Sequence, residues 1–114
     1  MSRRDPRVSL RQLADFIAEA QVLVSGQSLD TLLGDPVRLR AFERVMELIG
    51  ECVKRLPPDL RDRHHDVPWR QIVGMWDVIS HAYEDVSHEI LWDALKLHLP
   101  ALQARVDLIL RDLG

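Results

Sequence analysis

The chain has 114 residues, 46% of them hydrophobic and 29% charged, with a formal net charge of -3. That is the make-up of one soluble globular domain and too apolar for a disordered chain. Only 5 Gly and 6 Pro exclude collagen-like and low-complexity chains, and with them a sheet protein dense in turns.

From the N-terminus, Leu10, Leu13, Ile17, Ala20 and Val24 recur at helical spacing, so one face of this segment is apolar. Ser9 with Gln12 fits a capping box at its start, and Gly26 is a plausible stop. A turn over 28–33 follows. Asp35-Pro36 then reads as an N-cap with proline at the first helical position. The next helix carries Leu39, Phe42, Val45, Met46, Ile49, Val53 and Leu56 on one stripe, with Arg40, Glu43, Glu47 and Glu51 outside it. Pro57-Pro58 ends it, since proline supplies no amide hydrogen and clashes with the preceding turn. Residues 59–66 are polar and read as a connecting loop with room for one helical turn. Pro68 opens a further helix to about Tyr83. Ser87 caps a final one reaching about Leu113, with Pro100 expected to kink it. No segment alternates with period two, so the expected architecture is all-α, a single domain over residues 1–114 built as an antiparallel four- to five-helix bundle. Three Trp help to fill either its core or a dimer interface.

Composition also bears on location and partners. No stretch approaches the roughly 20 consecutive apolar residues of a membrane span. The opening Met-Ser-Arg-Arg-Asp-Pro lacks the apolar core of a secretory signal, and 1 cysteine, Cys52, permits no internal disulfide. The expected compartment is the cytoplasm. All the basic residues except Lys54 and Lys96 are arginine. Arginine suits bidentate phosphate contact, although a GC-rich genome explains the bias more simply. With net acidity, any contact with nucleic acid requires a local basic patch.

The helix opened by Pro68 has two faces. Trp69, Ile72, Val73, Trp76, Ile79 and Tyr83 form an apolar stripe. Arg70, Gly74, Asp77 and His81 are spaced 4, 3 and 4 residues apart and share a row. Gly74 costs a helix about 1 kcal/mol relative to Ala, which suits close approach of another backbone or of a phosphate. A solvated face with a satisfied histidine accounts for such a row on periodicity alone. The functional reading makes His81 a general acid or base, with Asp77 one turn before it to fix its tautomer.

The run Pro68–Tyr83 (PWRQIVGMWDVISHAY) resembles the HepT-like branch of the HEPN-domain proteins, the toxins of HepT/MntA type toxin–antitoxin systems. The resemblance extends through residues 41–75 and 90–110, nearly the whole chain. It implies a homodimeric, metal-independent ribonuclease toxin of a type II/VII-like system, with no cofactor, an RNA substrate and a minimal nucleotidyltransferase antitoxin as partner. The family motif is Arg, a polar residue, further residues, His, any residue, Tyr. Position by position, Asp77 matches the polar residue, His81 the catalytic histidine and Tyr83 the motif tyrosine, which the antitoxin adenylylates in some members. The motif arginine falls on Trp76, which has neither its charge nor its hydrogen-bonding fork. Either the chain keeps the fold and partner without the nuclease, or another arginine substitutes, or Trp76 stacks a base. Arg70 is the nearest arginine on the polar row, about 16 Å from His81 along a helix, so it would have to come from the partner protomer. It fits a phosphate contact better than catalysis.

Other candidates are weaker. His64 and His65 with Asp62 and Asp66 suggest a metal site, but a solvated loop explains them better. His98 falls on the apolar line of Leu91, Leu95 and Leu102, as a core or interface histidine. His88 is isolated. Cys52 reads as a packed thiol.

Overall fold

The computed structural model describes residues 5–74 and 88–114. Among these, every regular element is helical: α1 (Pro6–Val24), α2 (Leu29–Leu33), α3 (Pro36–Arg55), α4 (Pro58–Arg63), α5 (helical over 69–74) and α6 (His88–Leu113). The all-α expectation holds.

Two of the long helices begin in the same way. Asp35 caps α3 by accepting from the Arg38 amide at 3.1 Å, with Pro36 in the first turn. Asp5 does so for α1, accepting from the Arg7 amide at 2.9 Å, again followed by proline. The Arg7 side chain also donates to the Asp5 carboxylate and, as the main cause, holds its pKa below the ordinary value. This corrects the capping box expected at Ser9 and Gln12. Ser9 lies inside α1 and is buried, because the Asp-Pro pair upstream supplies both a carboxylate acceptor and a preset φ. The box forms instead in the segment read as a turn. The Thr31 amide donates to Ser28 Oγ at 3.2 Å and the Ser28 amide to Thr31 Oγ1 at 2.8 Å, and these bonds make α2 a short helix. After α1 the chain turns at Gly26, whose φ of +72° is cheap only for glycine.

α1 packs most extensively on α3 and next on α6, while α2 touches α3 and α6. Arg38 donates to the Leu23 carbonyl at 2.8 Å and Arg7 to the Gly114 carbonyl at 3.4 Å. These bonds join the end of α1 to the start of α3 and the start of α1 to the end of α6, so α1 runs antiparallel to both. The core between them holds Leu10, Leu13 and Ile17 from α1, Phe42, Met46, Ile49 and Val53 from α3, and Leu99, Leu102, Val106 and Ile109 from α6. Leu32, Leu56, Leu60, Trp69 and Ile72 close it from the shorter elements. Cys52 is buried on α3, as read.

The polar segment read as a loop with room for one helical turn holds that turn as α4 over Pro58–Arg63, with Pro57 as the cap between the end of α3 and its start. α6 is helical through Pro100, which is exposed. His98 is also exposed and is no core histidine. The inward line runs through Leu99, Leu102, Val106 and Ile109, so Leu102 lies on it as expected while Leu99 takes the inward place next to it. The side chains of Leu91 and Leu95 lie outside the described residues. No described helix is long and apolar enough to cross a membrane.

Candidate functional site

Of the residues singled out in the sequence, Trp76, Asp77, His81 and Tyr83 lie outside the described residues, as does the side chain of His88. Arg70 and Gly74 are described, and so is the framework from which α5 enters the row that carries them.

That entry is held at several points. The polypeptide leaves α4 at His64, which caps the helix with its amide directed to the Leu60 and Arg61 carbonyls. Trp69 is 7% exposed, its ring packed on the core and its indole Nε1 donating to the His64 carbonyl at 3.0 Å. One side chain thus anchors α5 in the core and gives a second donor to a loop carbonyl that also accepts from the Val67 amide at 3.1 Å. Asp66 pairs with Arg105 of α6 at 3.0 Å, fixing the loop to the longest helix. Ile72, 3% exposed, continues the apolar stripe that Trp69 begins, and Val73 packs beside it. Arg70 and Gln71 therefore face outward, as the two-faced reading of this helix requires. A Cβ added at Gly74 would meet no described atom within 4 Å. Packing among the described residues does not demand a glycine there.

Between α4, the loop and the start of α5 lies an open groove of about 430 Å³. Pro58, Val67, Pro68 and Trp69 give it apolar walls, and Arg61, Asp62, His65, Arg70 and Gln71 supply its polar groups. The carboxylates flanking it are engaged elsewhere: Asp59 faces Arg63 at 4.0 Å and Asp66 faces Arg105. Neither Arg61 nor Arg70 has an ion-pair partner among the described residues, and Arg61 Nε is buried without a hydrogen-bond partner. The result is a local concentration of positive charge on a chain of net charge -3. The groove as a site is absent from the motif reading, although part of its signal is in the sequence. The i, i+4 pairing of Asp59 with Arg63 leaves Arg61 over.

Among the described residues no group of three or more His, Cys, Asp or Glu is placed to hold a metal ion. His65 Nδ1 lies 3.3 Å from the Asp62 carbonyl oxygen, within its own turn.

Three relatives place this architecture. The chain is 40% identical over 100 residues to "Putative RNase TTE0752" of Caldanaerobacter subterraneus subsp. tengcongensis, covering 88% of this chain and 87% of that one. It is 29% identical over 105 residues to "Probable ribonuclease HepT" of Thermococcus cleftensis, covering 92% and 96%. It is 24% identical over 113 residues to "Putative RNase MJ1216" of Methanocaldococcus jannaschii, covering 99% and 93%. No solved structure matches the chain. The model of the family described as Ribonuclease HepT-like matches residues 9–109, a span of sequence that includes His81 and Tyr83. The chain belongs to the HepT-like ribonuclease family.

Proposed function

We propose that this protein is a metal-independent endoribonuclease of a toxin–antitoxin pair, one domain over residues 1–114 that works as a homodimer and is silenced by a minimal nucleotidyltransferase. The observation that carries the reading is the family match across residues 9–109, together with the His81-Ala82-Tyr83 sequence within it. His81 acts as the general base, because an imidazole titrates near neutrality. It takes the proton of a ribose 2′-hydroxyl, and the freed oxygen attacks the adjacent phosphorus. The bond to the 5′-oxygen breaks, that oxygen takes up a proton, and a 2′,3′-cyclic phosphate and a 5′-hydroxyl result. Asp77 accepts from the imidazole and sets its tautomer. Tyr83 is the residue the partner adenylylates. No metal or cofactor takes part.

Trp76 favours a second reading, a catalytically degenerate dimer that retains binding to the nucleotidyltransferase. The motif places a cation at this position to stabilise charge on the reacting phosphate. Its loss costs roughly 10²–10³ in rate.

RNA cleavage in EDTA by the purified protein decides between the two. The comparison needs the chain itself, Trp76→Arg, and Trp76→Arg combined with His81→Ala. Cleavage by the parent chain supports the enzyme and means that another cation replaces the motif arginine. A silent parent made active by Trp76→Arg, and silent again without His81, supports the degenerate dimer. Cleavage that survives His81→Ala overturns the mechanism.

A further inference from the structure

We infer that the groove between α4, the 64–68 loop and the start of α5 is a phosphate subsite for the RNA strand, where Arg61 and Arg70 hold the sugar–phosphate backbone. The inference rests on the ribonuclease reading and adds to it a site outside the Trp76–Tyr83 segment.

Three observations carry it. First, positive charge is in excess. Asp59 and Asp66 face Arg63 and Arg105, and neither Arg61 nor Arg70 pairs with a carboxylate among the described residues. Asp62 contributes one negative charge to the groove against two guanidiniums. Second, both arginines line the groove, Arg61 part-buried with its Nε lacking any acceptor and Arg70 exposed. Two planar guanidiniums thus border it, and a phosphodiester oxygen suits such a fork. Third, the one indole among the described lining residues is closed to a base, since the Trp69 ring is buried with Nε1 spent on the His64 carbonyl. Recognition of single-stranded bases depends on stacking against exposed rings. The exposed His65 imidazole is the ring that the described lining presents, and contact with the backbone falls to the two guanidiniums.

Arg61 and Arg70 lie outside the segment that carries His81, so they act here as positioning residues for the strand.

The test is fluorescence anisotropy with a labelled 2′-O-methyl oligouridylate, which lacks the attacking hydroxyl, titrated over a range of KCl concentrations. Each phosphate contact to a single strand contributes about 0.7 to the slope of log affinity against log salt. Arg61→Gln with Arg70→Gln is expected to weaken binding about ten-fold at low salt and to flatten the slope by about 1.4. Arg70→Gln alone, at an exposed position that leaves the core intact, is expected to flatten it by about 0.7. Arg40→Gln, on the outer face of α3, leaves both quantities unchanged. The same loss on a 2′-O-methyl oligocytidylate supports contact with the backbone, and a loss confined to one base overturns it. Variants that bind RNA as the parent does overturn the subsite while the ribonuclease reading stands. If those variants instead lose the nucleotidyltransferase, the groove is a protein contact. A parent chain that binds no RNA overturns both readings.

Discussion

Trp69 shows how much one side chain can settle. It lies on the face of α5 that the sequence marks as apolar, and its ring goes into the core as that spacing demands. Its indole nitrogen does what spacing cannot announce, donating across five residues to the carbonyl that ends α4. The two roles separate by substitution. Trp69→Phe keeps an aromatic ring and deletes one donor, so urea unfolding should show a loss of about 1 kcal/mol. Trp69→Ala removes the ring as well and should cost about 3–5 kcal/mol. Equal losses from the two changes would mean that the hydrogen bond, and not the packing, holds the start of α5.

At the scale of elements, the helices were legible where apolar residues recur every three or four positions, as in Leu10–Val24 and Leu39–Leu56. Their ends were legible where proline or glycine stands at a boundary. The start of α1 was misplaced because Ser9 and Gln12 have the right spacing for a capping box, yet Asp5 and Pro6 compete for the same role and win. The short helix α4 was legible only as room for one turn in a polar segment, since its buried side is a single residue, Leu60. For the candidate site, the motif row could be read from the sequence, while the groove depends on which carboxylate each arginine meets, a matter of tertiary geometry. The caps themselves are open to test. Asp35→Ala removes the side-chain acceptor of the Arg38 amide and should cost about 1 kcal/mol in urea unfolding, and Asp35→Asn should recover most of it.

For the molecule as a whole, stability rests on a core shared by α1, α3 and α6. Ile49 is 1% exposed within it, whereas Val37 on the same helix is 80% exposed. Ile49→Ala should cost about 2–5 kcal/mol, and Val37→Ala should stay within about 0.5 kcal/mol. Domains hold about 5–15 kcal/mol in total, so the first change brings the chain near the limit of folding. Comparison of their urea midpoints checks this, and similar midpoints would argue against a core centred on α3. The same packing has a chemical consequence through Cys52, which is 1% exposed. A maleimide or disulfide reagent reaches that thiol when the fold around it opens, so its labelling rate is a clock for opening. A cysteine placed on the surface would carry a dye while the native sulfur stays silent, and the wild-type chain already has the background that spectroscopists usually have to engineer.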